Sequence, residues 1–293
     1  MIKVGRIIKG IGGFYTVALD DGIQVQCKAR GLFRKEGITP MVGDLVETLP
    51  QDGGEWSLRT ILPRKNALTR PPVSNIDQLV VVLAASAPKP DWQLADKLIV
   101  QSKLLDIAPL LVLNKLDERD TEVEQDFLSD YGDHFPAFCV SAKSGMGLDA
   151  LSNALAGQVS CFAGQSAVGK SSLLNALIPE LALETGELTK KTDRGRHTTR
   201  HAELWPYRGG AVLDTPGFSL FETTAITQQQ LNGCYPEFGD APQRCRFAGC
   251  AHITEPDCAV RELLSSGGLS AGRYHRYVEL CKQIQQRRLT KYD

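Results

Sequence analysis

The chain has 293 residues, 42% of them hydrophobic, with 33 basic against 34 acidic side chains and a formal charge of −1. That is apolar material for about two domains, or three if some are small, and the net charge gives no global sign of nucleic-acid binding. The N-terminus lacks the charged-then-apolar layout of a secretory leader, and no apolar run approaches the ~18 residues of a membrane span.

Residues 1–65 read as β-rich. Short apolar or alternating runs at 2–8, 14–19, 23–29, 45–49 and 56–62 are separated by turn signals at Gly12-Gly13, Asp20-Asp21-Gly22, Gly43-Asp44 and Asp52-Gly53-Gly54. Five short strands at this spacing predict a small barrel, with the OB-fold as one candidate. Such a barrel serves either RNA binding or packing, and the pattern alone does not choose between them. Charge adds a hint. Residues 1–70 hold eleven Lys or Arg against seven acids, and the C-terminal stretch carries Arg273, Arg276, Lys282, Arg287, Arg288 and Lys291 against Glu279 and Asp293. Basic ends around a more acidic middle fit an RNA partner better than the net charge does.

Residues 63–72 read as a linker. Apolar strands at 79–84, 109–113, 137–140, 159–163, 201–207 and 211–213 then alternate with helical stretches at 91–105, 122–129, 148–155 and 170–177. Continuous apolar strands between helices predict an α/β, doubly wound, mostly parallel sheet covered on both faces. From about residue 224, Pro, Gly, Cys and aromatic residues replace this rhythm, and a helical pattern resumes near Arg273. The expected domains are 1–65, 66–223 and 224–293.

Four motifs follow strands, at the carboxyl edge where open α/β sheets bind ligands. Gly164-Gln165-Ser166-Ala167-Val168-Gly169-Lys170-Ser171, with Ser172 behind it, fits a phosphate loop. Its backbone N–H groups wrap phosphates, Lys170 reaches the β- and γ-phosphates, and Ser171 binds Mg²⁺. Asp214-Thr215-Pro216-Gly217 supplies an Mg²⁺ carboxylate at Asp214 and a γ-phosphate contact at the Gly217 N–H. In Asn114-Lys115-Leu116-Asp117 the Asp117 carboxylate accepts two N–H bonds from guanine, and adenine would leave it buried and unpaired, costing roughly 1–3 kcal/mol or more. Ser141-Ala142-Lys143 places the Ala142 N–H for guanine O6. Together the motifs specify GTP over ATP. Their order is unusual: the base-reading half precedes the phosphate-reading half, so the domain is circularly permuted.

The basic loop at 190–200 lies where a switch segment belongs, and Thr199 is favoured over Thr198 to close on Mg²⁺. Phe218 occupies the place of a water-orienting Gln, so intrinsic hydrolysis should be slow. His197 is either the substitute that positions water or a solvated, RNA-contacting side chain. Cys245, Cys250, His252 and Cys258 supply three thiols and an imidazole at the spacing of a closed structural zinc site. The remaining cysteines, Cys27, Cys139, Cys161, Cys234 and Cys281, read as ordinary thiols of a cytosolic protein.

Over essentially its whole length the chain resembles the ribosome-small-subunit-dependent GTPase A family (RsgA, also YjeQ). The resemblance is carried by Arg30-Gly31, Val42-Gly43-Asp44, Asn75-Ile76-Asp77-Gln78, the permuted motif order, Gly195-Arg196-His197-Thr198-Thr199, Asp214 through Phe218, and the Cys-Cys-His-Cys cluster. It implies an N-terminal OB-fold, a central permuted GTPase and a C-terminal zinc domain. It also implies binding to the small (30S) ribosomal subunit and its rRNA late in maturation, subunit-stimulated GTP hydrolysis, release of assembly factors, and a cytoplasmic location away from membranes. A monomer is the simplest expectation. The competing readings are an RNA-binding assembly protein holding GTP as a static ligand, and an ATP-using kinase, which Asp117 opposes.

Overall fold

The computed structural model describes residues 1–29, 33, 37–51, 54–69, 71–183, 202–214 and 226–289, with backbone alone for 214 and 287–289. The N-terminal strands form close to where alternation places them: β1 Lys3–Ile11, β2 Phe14–Leu19, β3 Gln24–Ala29, β4 Leu45–Pro50 and β5 Trp56–Ile61. β1 runs past its expected end because its pairing with β2 continues across a bulge to the Ile11–Phe14 pair. The strands close in the order β1-β2-β3-β5-β4, with β4 back on β1 and β3 parallel to β5. This is the OB-like barrel the turn spacing suggested. Ile7, Val17, Leu19, Val25, Cys27, Val46 and Leu58 point inward and are buried.

The expected linker holds one strand of a small hairpin, β6 Ala67–Leu68 paired antiparallel with β7 Val73–Ser74. Asp44 ties this hairpin to the barrel. Its fully buried carboxylate accepts from Arg64 Nε at 2.6 Å, Ser74 Oγ at 2.5 Å and the Met41 N–H at 2.7 Å. No periodicity foretells this, because the partners come from three separate segments.

The α/β elements follow in the predicted order: β8 Gln78–Ala84, α1 Trp92–Leu104, β9 Ala108–Asn114, α2 Thr121–Tyr131, β10 Ala137–Cys139, α3 Leu148–Leu155, β11 Val159–Gly164, α4 Lys170–Leu177, β12 Leu204–Tyr207 and β13 Gly210–Asp214. Their six strands have the order β10-β9-β8-β11-β13-β12. β10 is parallel to β9 and β11 to β13, while β12 is an antiparallel edge. Asp91 and Asp120 start α1 and α2 by accepting from the N–H groups of Leu94 and Glu122.

The C-terminal segment is helical, with α5 Gln228–Gly233, α6 Ala259–Ser265 and α7 Ala271–Leu289. α5 and α6 are too short to show a period in sequence, and α5 is instead announced by its capping box, Thr227 and Gln230. Among the described residues no helix is long and apolar enough to cross a membrane.

The chain forms two compact units, residues 1–80, 149–163 and 170–219 in the first and 81–148, 164–169 and 220–293 in the second. In the first, Lys3, Lys9, Lys28, Arg59, Arg64 and Lys65 all pair with carboxylates, but only Lys9 and Lys65 draw theirs, Glu203 and Asp77, from beyond residue 70, so this end keeps a basic excess. The second unit corrects the charge reading. Arg273 and Arg276, counted above with the basic C-terminal end, face inward from α7 onto α1 and α2. Arg273 is 1% exposed and pairs with Asp96 and with Glu237 at 2.5 and 2.6 Å. Arg276 pairs with Asp96 and Asp130 at 2.6 and 2.7 Å. Their charges are consumed inside the fold, because Asp96 lies on the buried face of α1 beside Ala95 and Ile99.

Candidate nucleotide site and metal cluster

The second unit holds both the base-reading loops and the turn of the phosphate loop. β9 ends on Asn114, which is 1% exposed, and the chain then turns through Lys115 with φ +66° into a short 3₁₀ turn at Leu116–Glu118. The Lys115 ammonium donates to the Ala87 carbonyl at 2.5 Å, which holds this turn. Asp117 accepts from the Ser141 hydroxyl at 2.6 Å and faces the Lys143 ammonium at 3.5 Å. The Ser141 hydrogen bond, with lesser help from Lys143, keeps the Asp117 carboxyl below its ordinary range. The carboxylate expected to read guanine is thus held in place by a hydroxyl and an ammonium.

Asn114 joins the two halves. Its Oδ1 accepts from the Ala142 N–H at 3.1 Å, and its Nδ2 donates to the Val168 carbonyl of the phosphate loop at 3.0 Å. The Ala142 N–H, expected at guanine O6, therefore has a protein partner. The loop's own shape depends on glycine. Gly164 has φ +139°, and a Cβ there would lie 2.2 Å from the Val82 carbonyl oxygen. Gly169 has φ +93°, and its Cβ would lie 2.4 Å from Asn114 Nδ2. Ala167 also has positive φ, at +65°, and Val168 is buried beneath the turn. Gln165 and Ser166 fill the turn between these positions. Positive φ at Gly164, Ala167 and Gly169, interspersed with ordinary residues, is the kind of backbone that can form an anion-binding concavity.

In the first unit Lys170, Ser171 and Ser172 open α4, and Asp214 ends β13 opposite Phe162 of β11. His197, Thr199, Gly217 and Phe218 lie outside the described residues.

The metal-ligand residues also converge. The donor atoms of Cys245, Cys250, His252 and Cys258 all lie within 4.8 Å of one another. His252 Nδ1 is 3.5 Å from Cys245 Sγ and 3.4 Å from Cys258 Sγ, and those two sulfurs are 3.9 Å apart. A tetrahedral zinc with Zn–S of about 2.3 Å would set sulfurs roughly 3.8 Å apart, so the set fits the ion. The loop bends sharply, with His252 at φ +60°. Glu255 braces it by accepting from the N–H groups of Ala251, Ile253 and Thr254. Burial works to raise the Glu255 carboxyl, yet these backbone bonds bring it down to about 2. Burial pushes the Cys250 thiol up to about 12, so a thiolate there needs a cation. All eight cysteines are free thiols.

A base-reading loop that precedes its phosphate loop on a mostly parallel sheet defines a circularly permuted GTPase. The comparisons agree. The RsgA GTPase family model matches residues 61–224 and the RsgA N-terminal domain model residues 4–55. The chain belongs to the RsgA GTPase family. It is 42% identical over 290 residues to the small ribosomal subunit biogenesis GTPase RsgA of Caldanaerobacter subterraneus subsp. tengcongensis, covering 98% of each chain. The protein of the same name from a Geobacillus species is also 42% identical, over 97% of this chain and 98% of its own. Among solved structures, YjeQ from Thermotoga maritima superposes with a TM-score of 0.85 at 33% identity, over 97% of this chain and 99% of that one. YloQ, a circularly permuted GTPase, gives 0.81 at 36%, over 98% and 96%.

Sequence reasoning missed two sets of residues. The first is Asp96, Asp130, Glu237, Arg273 and Arg276, for which a carboxylate in the apolar face of α1 was the available signal. The second surrounds the metal cluster, where Asn232 and Tyr277 carried no signal at all.

Proposed function

We propose that this chain is a GTP hydrolase of late small-subunit maturation, whose turnover is stimulated by that ribosomal subunit and coupled to assembly-factor release and its own dissociation. The Asn114 carboxamide carries the nucleotide half of this reading, because it binds the base-reading and phosphate-wrapping loops into one prebuilt surface. The names of relatives 42% identical over nearly the whole chain support the ribosomal half.

In this reading Asp117, held by Ser141 and Lys143, reads guanine, with Asn114, Lys115 and Ala142 shaping its pocket. Residues 164–172 hold the phosphates. Ser171, Thr199 and Asp214 are hard oxygen donors that would hold Mg²⁺, which when bound with GTP would neutralise phosphate charge. Gly217 meets the γ-phosphate, and His197 positions the attacking water in place of the Gln that Phe218 displaces. Cys245, Cys250, His252 and Cys258 hold one structural zinc, contributing folding energy of order 10 kcal/mol to its segment. Domains at 1–65, 66–223 and 224–293 act in the cytoplasm as one monomer, and the barrel meets rRNA. A multiple-turnover phosphate-release assay with and without purified small subunits tests the proposal. Subunit-dependent release is expected, and no hydrolysis in either condition refutes the enzyme.

A further inference from the structure

We propose that Asn232 is the positioning residue for His252, its carboxamide accepting the Nε2–H and so leaving Nδ1 free of hydrogen toward the cysteine sulfurs. The inference rests on the reading of the Cys-Cys-His-Cys cluster as a zinc site. Asn232 lies in α5, and its Nδ2 is 3.0 Å from His252 Nε2, the ring nitrogen turned away from the thiols. The sulfurs surround the other nitrogen, Nδ1.

A nitrogen that ligates a metal carries no hydrogen. The neutral ring must then hold its proton on Nε2, and Nε2–H requires an acceptor. The Asn232 amide is the side chain at that position. A half-turn of the amide brings Oδ1 to Nε2 and Nδ2 to Tyr277 Oη, which lies 2.7 Å from the atom now facing it. Amide oxygen and nitrogen differ only in their hydrogens, so their places follow from their partners. Tyr277 still donates to the Ala251 carbonyl at 2.8 Å. The turn gives up the 3.5 Å contact from Nδ2 to the Cys250 carbonyl, while the hydrogens on His252 Nε2 and Tyr277 Oη and one on Asn232 Nδ2 each meet an acceptor.

The amide as it stands suits the other tautomer. Nδ2 donates to Nε2, and Nδ1–H faces Cys245 and Cys258 Sγ. Metal uptake therefore reverses the direction of this chain. Gln228 lies 3.1 Å from Asn232 Oδ1 and 2.7 Å from Tyr277 Oη, and follows by turning its own amide. Ring packing turns Nδ1 toward the sulfurs: Phe238 meets the imidazole edge-on at 5.8 Å, and Tyr274 Oη holds the His252 carbonyl at 2.7 Å. With the ring held this way, Asn232 sets which nitrogen carries the proton.

Two variants separate position from packing. Asn232→Asp keeps an acceptor for Nε2–H, whereas Asn232→Leu keeps the approximate volume and offers none. Metal analysis of the purified full-length wild type comes first. One zinc per chain is expected, and none would overturn the zinc reading itself rather than the role of Asn232. Zinc affinity is then measured by competition with a chromophoric chelator. Asn232→Leu should bind roughly 10- to 100-fold more weakly, and Asn232→Asp close to wild type. Equal affinity in the Leu variant, or a loss in Asp as large as in Leu, overturns the proposal. If the Leu variant does not fold, imidazole ¹⁵N shifts of the wild type decide. Nε2–H is expected in the zinc-loaded protein and Nδ1–H after chelation, and Nδ1–H in the loaded form overturns the assignment.

Discussion

Removing Arg273 should loosen the C-terminal segment from the base-reading half of the second unit. Arg273→Met keeps much of the stem and deletes the guanidinium. Asp96 retains Arg276 at 2.6 Å and the Tyr131 hydroxyl at 2.6 Å, so it stays paired. Glu237 does not, since Arg273 Nε is the one hydrogen-bond partner the described residues give its buried carboxylate. The guanidinium also stacks 4.6 Å from the Tyr235 centroid and 5.1 Å from that of Tyr131. Breaking one partner of a buried pair costs about 3–5 kcal/mol, and a desolvated cation–π contact adds about 1–2 kcal/mol. The surviving Asp96 pairs offset part of this, leaving a loss of about 4 kcal/mol, or roughly a thousandfold in the opening equilibrium. Native-state hydrogen exchange of α1 and α7 amides in the zinc-loaded protein measures that opening directly. The double variant Arg273→Met/Glu237→Met should recover part of the loss, because no carboxylate is then stranded. A single-variant loss below about 1 kcal/mol, or strict additivity in the double, would refute the reasoning.

Four further outcomes follow from the geometry. Gly164→Ala forces a Cβ to 2.2 Å from the Val82 carbonyl oxygen, so binding of a fluorescent guanine nucleotide should weaken by at least about 2 kcal/mol; unchanged affinity would contradict the loop geometry. Asp44→Ala leaves Arg64, among the described residues, only the Thr39 carbonyl and removes the carboxylate that Ser74 and the Met41 N–H share, and urea titration followed by tryptophan fluorescence should show about 3 kcal/mol lost from the barrel and its hairpin. Because the Ser141 hydroxyl lowers the Asp117 carboxyl, the ionised acceptor persists above the ordinary carboxylate value of about 3.9 and is lost only as pH falls below it. Affinity for guanosine, which carries no titrating phosphate, should therefore be flat from about pH 8 to 5, with the acid fall-off moved upward in Ser141→Ala; a decline above pH 5 in wild type would count against Asp117 as the base reader. His197→Ala should bind GTP normally yet lose subunit-stimulated phosphate release, and unchanged stimulated turnover removes its catalytic role.

The C-terminal segment packs through Arg273 and Arg276 onto α1 and α2, the helices on either side of β9 in the chain, so its anchor within the second unit is the Asp96 cluster.

What sequence alone determined is what short-range chemistry dictates. Glycines at positive φ, a Lys-Ser pair opening a helix, apolar strands of fixed period and four soft ligands within fourteen residues each carry their meaning locally. The order of the strands, the order of the motifs and the metal cluster were legible for that reason. Tertiary structure decided how distant polar groups are satisfied. Asn114 sits in the base-reading motif in sequence, and in the fold its amide joins Ala142 to Val168. Arg273 and Arg276 look like surface charge, yet they neutralise Asp96, Glu237 and Asp130. Asn232 gives no signal until α5 brings it against His252. A hydrogen-bond or ion-pair partner is fixed by where the chain returns in space, and nothing in the spacing of residues records that.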